Sequence, residues 1–150
     1  IKKGSHEART QIRTEFVKNP AYRIYVSHED KEIFDQLVQN IMAHKTVFTL
    51  SLGLSELLAD FKFVDVKEFV QSDKGYKDIT TVIPMNMIEN YGIQFEEGKK
   101  YFKEKMAIEM NQDRVVELYE DVLFEIQGKT IRAFTSYCWE DDSGEHIIFF

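Results

Sequence analysis

Cysteine and proline are scarce in this chain of 150 residues, which has one cysteine, Cys138, and two prolines, Pro20 and Pro84. A single cysteine excludes an internal disulfide, and this fits a reducing compartment. One cysteine and four scattered histidines do not supply the ligand set of a structural zinc site. No apolar run approaches the roughly 18 residues that a membrane helix needs. We therefore expect a cytoplasmic protein without membrane contact.

Motifs that hold phosphates or catalyse group transfer are also missing. The chain has no Walker loop, dinucleotide fingerprint, nucleophile elbow or HExxH helix. An acidic cluster near the carboxyl end could hold a divalent cation, but its Asp-Ser-Gly run favours a solvated hairpin tip. We therefore expect neither a metal nor a cofactor. The cluster consists of Glu140, Asp141, Asp142, Glu145 and His146.

Charge is unevenly distributed along the chain. The formal net charge is −7, yet residues 1–26 carry six basic and two acidic side chains, a net of +4, which leaves −11 for the remainder. Global acidity argues against wrapping by nucleic acid, whereas a basic arm on an acidic body still permits local phosphate contact. A solvated charged arm is the simpler interpretation of the same pattern.

The first half of the chain indicates a mixture of strand and helix. The β-branched and aromatic content of Tyr22–Val26 predicts a short strand. Ser27 is the expected N-cap of a helix, with Asp30 at the third helical position. This helix should extend to about His44, so that His44 and Lys45 lie in its last turn. Its apolar stripe is formed by Ile33, Phe34, Leu37, Val38, Ile41 and Met42.

The remainder is predicted to be mostly extended. A short strand at Val47–Leu50, a helical turn at Leu54–Asp60 and a strand at Phe61–Val70 precede a turn signal at Ser72–Gly75. We place a loose domain boundary there, between residues 1–72 and 73–150.

The second half has the pattern of an antiparallel meander. Residues 116–126 fit both helical and strand spacing, and we favour a strand because Gln127 and Gly128 make a tight turn after it. A second turn is expected at residues 141–144. Cys138 and Trp139 should point in opposite directions on one strand, so that one of them lies in the core.

Metal-independent RNA cleavage needs a general acid and a general base, typically histidine, lysine or tyrosine. Sequence positions do not establish that any such residues cluster, and each has a structural explanation, such as an exposed first-turn histidine or a tyrosine that packs a strand. The candidates are His6, His28, His44, Lys45, Tyr22 and Tyr25.

Three segments that occur in a specific order carry a family resemblance. They are Asn19–Val26 (Asn-Pro-Ala-Tyr-Arg-Ile-Tyr-Val), the helix that follows, and His44–Glu56 (His-Lys-Thr-Val-Phe-Thr-Leu-Ser-Leu-Gly-Leu-Ser-Glu). In this order they closely resemble the Cas-five family of CRISPR-associated proteins, most of all the branch of type I-B systems. The ending Gly144–Phe150 is also similar. The resemblance is strongest from about Arg9 to Asp60 and thinner afterwards.

The resemblance implies an α+β fold: a ferredoxin-like (RNA-recognition-type) domain with a β-rich antiparallel carboxyl-terminal extension. The first strand and helix of such a domain do not precede Ile1, so the expected ferredoxin-like part is partial. The implied role is a non-enzymatic subunit of the Cascade surveillance complex that holds the 5′ handle of CRISPR RNA in antiviral defence. The implied partners are CRISPR RNA, the backbone and large subunits of Cascade, and, indirectly, target DNA.

The same resemblance assigns the candidate RNA-binding residues. Residues 1–18 would be the returning arm of a thumb-like hairpin, which makes its cations phosphate-contact candidates. The glycine-containing segment suits close backbone approach to RNA. The candidates are Lys2, Lys3, Arg9 and Arg13 in the arm, and Ser51, Gly53 and Ser55 in the segment.

Two other functions stay open. Type I-C members of the family cut precursor CRISPR RNA with a tyrosine, lysine and histidine set, so a metal-independent endoribonuclease is the alternative. His44 and Lys45 are its weak candidates, because they belong to the common block rather than to a catalytic pattern. We therefore expect no catalytic residue. A scaffold that touches only protein partners is the third possibility.

Overall fold

A computed structural model describes residues 15–150 of the chain, and within this range the fold is mixed α/β with one α-helix and nine strands. The helix α1 spans Lys31–Met42, and a short 3-10 helix spans Met85–Met87. The strands are β1 Phe69–Ser72, β2 Gly75–Ile79, β3 Ile83–Pro84, β4 Ile88–Gln94, β5 Tyr101–Met110, β6 Val116–Glu125, β7 Ile131–Thr135, β8 Cys138–Asp141 and β9 His146–Ile147.

The strands form two sheets. The larger has six strands in the order β1-β8-β9-β2-β7-β4, and the smaller has the order β3-β6-β5. All pairs are antiparallel except the short parallel contact between β2 and β9 at Ile79 and His146. Phe69–Ser72 precede the predicted boundary at residue 72, yet β1 pairs with β8, so the larger sheet extends across that boundary.

The hydrophobic core lies where the two sheets meet. Ile79, Ile131 and Cys138 come from the larger sheet, whereas Ile83 and Leu123 come from the smaller. Full burial of an isoleucine or leucine side chain contributes about 1.5–3 kcal/mol. Cys138 is fully buried, as alternation with the half-buried Trp139 predicts.

The β-rich second half confirms several sequence predictions. The strand predicted at residues 116–126 is present as β6, Val116–Glu125, in the long hairpin β5–β6, and residue 126 belongs to the following turn. A turn follows at Gly128, whose amide donates to the carbonyl of Glu125 over 3.1 Å, and the turn at residues 141–144 closes with a bond from Gly144 to Asp141 of the same length. The prediction of a simple meander is wrong, however, because β7 pairs with β2 and β4 rather than with its chain neighbours.

Several predicted elements of the first half are absent. Tyr22–Val26 and Val47–Leu50 are not strands, and the predicted strand at Phe61–Val70 is reduced to β1, which begins at Phe69. Within residues 22–26 only Tyr25 is half-buried and the other four residues are exposed, and no described strand pairs with this backbone. Strand-forming residue types without a hydrogen-bonded neighbour do not make a strand.

Helix α1 begins at a different residue from the one predicted. Asp30, not Ser27, is the N-cap, and its carboxylate accepts from the amides of Glu32 (2.8 Å) and Ile33 (3.2 Å). The apolar stripe lies as predicted, but it is only half-buried at best. None of residues 15–78 is buried, so this whole region lacks a core of its own within the described part of the chain.

In residues 15–150 no helix has both the length and the hydropathy to cross a bilayer.

Candidate functional site

The predicted RNA-binding residues fall into two groups with different outcomes. Lys2, Lys3, Arg9 and Arg13 lie outside the described residues. Ser51, Gly53 and Ser55 lie in a compact loop at residues 50–59 that is exposed to solvent.

This loop, which we call the Gly53 loop, is closed by backbone hydrogen bonds at its base. The amide of Ala59 donates to the carbonyl of Leu50 over 3.0 Å, and Ser51 forms a β-bridge with Leu58. The amide of Leu52 donates to the carbonyl of Leu57 over 2.9 Å. These bonds hold the ends of the loop together and leave residues 53–56 at its tip.

The tip offers free backbone donors beside an open surface. The amides of residues 53–56 make no hydrogen bond to any residue in the range 15–150. Gly53 has φ +88°, a left-handed conformation that other residues adopt only with strain, and a Cβ built there would meet nothing within 4 Å. Successive free amides in a turn are a means of contacting anions.

His44 and Lys45 have a structural role at the end of α1. They follow the helix rather than lie in its last turn, which corrects the prediction. The amide of His44 donates to the carbonyl of Ile41 (3.0 Å) and that of Lys45 to the carbonyl of Asn40 (2.8 Å), and His44 has φ +55°. This is the Schellman pattern that ends many helices with a left-handed residue.

The imidazole of His44 packs against the neighbouring chain segment. Its ring stacks on Phe61 with centroids 4.4 Å apart, and its Nε2 lies 3.9 Å from Oδ1 of Asp60. Lys45 forms no ion pair with a described residue. The imidazole of His44 is therefore engaged with Phe61 and Asp60.

The most developed polar site is one that the sequence analysis did not assemble. Nζ of Lys67 lies 2.6 Å from Oδ2 of Asp141 and 2.8 Å from Oε2 of Glu145. The hydroxyl of Tyr25 donates to Oε1 of Glu145 over 2.7 Å, and Nη1 of Arg23 lies 3.4 Å from the same oxygen. We call these five residues the Lys67 network. It joins the 23–25 segment and residue 67 to the β8–β9 turn.

Asp141 anchors the network because it organises the β8–β9 turn. Its side chain is fully buried, and Oδ1 accepts from the amides of Ser143 (3.0 Å) and Glu145 (2.8 Å) and from the Ser143 hydroxyl (2.7 Å). The hydrogen bond from Lys67, followed by that from Ser143, holds the pKa of Asp141 far below its usual value. Asp141 is therefore a structural carboxylate that stays ionised.

The other members of the network are also held in fixed protonation states. Partial burial disfavours the charged form of Glu145, but hydrogen bonds from Lys67 and Tyr25 outweigh it and lower its pKa. Hydrogen bonds to Asp141 and then to Glu145 raise the pKa of Lys67, and partial burial is the main cause of the raised pKa of Tyr25. None of these groups is adjusted to exchange protons near neutral pH.

A cavity of about 410 Å³ adjoins the Lys67 network. Its walls are mainly apolar side chains from three regions of the chain, and His28 also lines it. Two cations, Arg23 and Lys67, are balanced by two carboxylates, so the network offers no excess positive charge to a phosphate. The apolar walls include Ile24, Val26, Phe34, Val64, Val66, Phe69, Trp139 and Phe149.

Most of the acidic cluster at residues 140–146 is engaged with other side chains. Asp141 and Glu145 belong to the Lys67 network, and Glu140 lies 3.5 Å from Nε2 of His146 and 3.9 Å from Nζ of Lys77. Within residues 15–150 no group of three or more potential ligands is arranged to hold a metal ion.

The sequence signalled only half of the Lys67 network. The acidic run was visible, but its cation lies 74 residues away in a segment without any motif. Only the folded chain identifies Lys67 among the other lysines.

Comparison of the chain with protein-family models, with curated proteins and with solved structures finds no match.

Proposed function

We propose that this protein is a non-enzymatic RNA-binding and assembly subunit of a type I CRISPR surveillance complex, and that it holds the 5′ handle of CRISPR RNA in the cytoplasm. The proposal starts from the ordered resemblance of residues 9–60 to the Cas-five family, which also implies a ferredoxin-like domain. The single structural observation that carries it is the Gly53 loop, with its free amides at residues 53–56 and open space beside Gly53.

The chemistry of the loop suits RNA backbone rather than a specific base. Free amides and the hydroxyls of Ser51 and Ser55 can donate to phosphate oxygens, and such contacts position a nucleic acid without identifying its sequence. Base recognition in single-stranded RNA needs stacking and edge contacts in addition. On this proposal the basic arm that includes Arg9 and Arg13 adds the electrostatic part of the affinity.

The exposed apolar surface of residues 15–78 supports the assembly part of the proposal. No side chain in this region is buried, and Val47, Phe48 and Ile24 are among those largely open to water. Soluble proteins seldom leave such surface uncovered, and extended exposed apolar surface marks interaction sites. A subunit that sits between RNA and other proteins would cover it.

The alternative, a metal-independent endoribonuclease, has weaker support. Tyr25, His28 and Lys67 do line one cavity, which is the observation in its favour. Tyr25 and Lys67 are nevertheless bound to carboxylates, and His44 packs against Phe61. Catalysis would require these contacts to break.

The test uses the full chain and end-labelled repeat RNA with chelator present, against a scrambled RNA and across a range of salt. We expect selective retention without new fragments. Specific cleavage products would instead support the nuclease. The absence of both retention and cleavage would contradict the RNA-binding proposal for the isolated chain.

A matched pair of glycine variants tests the Gly53 loop. Gly53→Ala should weaken RNA retention by about tenfold, since one lost charge-assisted contact is worth roughly that much. Gly128→Ala is the control, because Gly128 also has a left-handed φ, +73°, and no atom within 4 Å of a built Cβ. The two variants carry similar backbone strain, but on this proposal RNA approaches only residue 53. Equal retention by both would remove the Gly53 loop from the RNA site.

The basic arm is tested by its salt dependence. Arg9→Ala and Arg13→Ala should each weaken binding and reduce the slope of log affinity against log salt by about 0.7, the value for one phosphate contact to a single strand. Unchanged affinity in both variants would refute the assignment of these two residues.

A further inference from the structure

The long hairpin β5–β6 extends beyond the sheet that supports it. β3 pairs with β6 only at Leu123 and Val122, so residues 104–121 form a two-stranded ribbon with no strand of the described chain on either edge. None of these residues is buried. We call residues 104–121 the β5–β6 arm. An isolated two-stranded ribbon is only marginally stable in water, so the arm is a candidate for contact with another molecule.

The tip of the arm is nevertheless closed by hydrogen bonds to Asn111. Oδ1 of Asn111 accepts from the amides of Asp113 and Val115 over 3.0 Å each, and Nδ2 of Asn111 donates to Oε1 of Glu117 over 3.0 Å. These bonds fix the turn between β5 and β6, and a preformed surface loses less entropy on binding.

Apolar side chains are concentrated on the arm. Met110 is 57% exposed, Val115 57% and Tyr119 54%, and Met106 and Leu118 are also open to water. Methionine side chains adapt to irregular apolar surfaces, and tyrosine is enriched at protein interfaces. The arm therefore has the composition of a protein-binding surface.

The charge of the arm selects between possible occupants. It carries six carboxylates and two cations, Lys105 and Arg114, which gives a net charge of −4. Asp121 pairs with Lys103 over 2.7 Å. The other five carboxylates have no cationic partner among the described residues; they are Glu104, Glu109, Asp113, Glu117 and Glu120.

An acidic, apolar arm excludes RNA as its occupant, because phosphates would be repelled along its length. A second copy of this chain is also disfavoured, since its net charge is −7. A partner whose charge complements the acidic arm has a basic surface, and proteins that bind nucleic acid carry such surfaces. Unpaired carboxylates at the rim would then meet lysine or arginine, while the apolar side chains fill a cleft.

We propose that the β5–β6 arm docks into an apolar cleft, rimmed by lysine or arginine, on a nucleic-acid-binding protein subunit. The inference deepens the function proposed above and rests on it, since that partner is another subunit of the same complex. The Gly53 loop would contact RNA, and the arm would contact protein.

The test makes two measurements on the same variants. One is the retention of repeat RNA by the isolated chain, and the other is the assembly of the chain with the purified backbone and large subunits, measured by mass photometry. Leu118→Asp and Met110→Asp should each weaken assembly by at least about tenfold, as expected for central interface side chains, and leave RNA retention unchanged. Ile126→Asp, at an exposed position outside both the arm and residues 15–78, is the matched control and should assemble normally. All variants are first compared with the wild type by thermal unfolding.

The charge argument has its own test. Glu109→Lys together with Glu117→Lys should weaken assembly about tenfold at low salt and less at high salt, whereas Glu97→Lys, at an exposed position outside the arm, should have little effect. Normal assembly of both folded arm variants, or stronger assembly after charge reversal, would overturn the proposal. Loss of RNA retention in the arm variants would assign the arm to RNA instead. If the wild type neither retains RNA nor assembles, the proposed function itself fails, and the docking proposal is withdrawn with it.

Discussion

Among the glycines of residues 15–150, Gly92 of β4 has the least space for a side chain, and this gives a sharp prediction. A Cβ built at Gly92 would overlap the Cβ of Phe134 on β7 and would lie 2.7 Å from the carbonyl oxygen of Glu89. The register of β4 against β7 shifts between Ile88 and Ile93, and Asn90 has φ +52° there. This irregularity brings the Glu89 carbonyl close to Gly92. Because Gly92 itself has no left-handed φ, the constraint is one of space alone.

Gly92→Ala should therefore destabilise the fold. Overpacking a filled site costs about 1–3 kcal/mol, and we expect about 3 kcal/mol here because one obstructing atom belongs to the backbone. For a chain of this length each kcal/mol lowers the melting temperature by about 2–4 °C, so the expected decrease is about 6–12 °C. Thermal unfolding followed by far-ultraviolet circular dichroism measures it, with urea unfolding as a second probe.

Gly75→Ala is the matched control for this prediction. Gly75 lies on β2 opposite Thr135, and a Cβ built there would meet nothing within 4 Å. Replacement of a glycine at such a position stabilises a protein by about 0.4–1 kcal/mol through the unfolded state. If Gly92→Ala melts as high as Gly75→Ala, the close approach of β4 and β7 described here is refuted.

Two further predictions concern the Lys67 network. Asp141 and Glu145 have pKa values below those of the unfolded chain, so their contribution to stability is full above about pH 5 and is lost as the pH falls through about 4. The free energy of unfolding in urea, measured at about pH 7, 5 and 3, should show this decline. A free energy of unfolding that does not change with pH would contradict it. Lys67→Met should lower the melting temperature at neutral pH and make the stability depend less on acid pH, since the main cause of the low Asp141 pKa is removed. Lys62→Met, at an exposed position, is the control and should change neither the melting temperature nor its pH dependence.

Sequence patterns predicted the second half of the fold better than the first for a physical reason. Alternation in residues 116–126 and turns at Gly128 and Gly144 are local signals, and both glycines have the left-handed φ that such turns require. Tyr22–Val26 has the residue types of a strand, but only Tyr25 is half-buried there and no described strand pairs with the segment. Residue type indicates a tendency to form a strand, and it does not report whether a neighbouring backbone is available.

Other errors came from competition between equivalent signals. Ser27 and Asp30 are both good N-caps, and only the geometry around Glu32 and Ile33 distinguishes them. His44 was interpreted as a cation at a helix end, whereas its left-handed φ makes it the residue that terminates the helix. The acidic half of the Lys67 network was visible in the sequence, but its cations could not be predicted, because they come from segments far from it in sequence.

The order of strands in the larger sheet has a consequence for biosynthesis. β1 and β2 are neighbours in the chain, but β8 and β9 are inserted between them. In a nascent chain that has left the ribosome only as far as β7, β2 can pair with β7, but β1 has no strand to pair with until β8, residues 138–141, emerges. Non-local pairing of this kind folds slowly. During that interval β1 and the region before it have no sheet to join, and this is when the chain should depend most on a chaperone or on early contact with a partner.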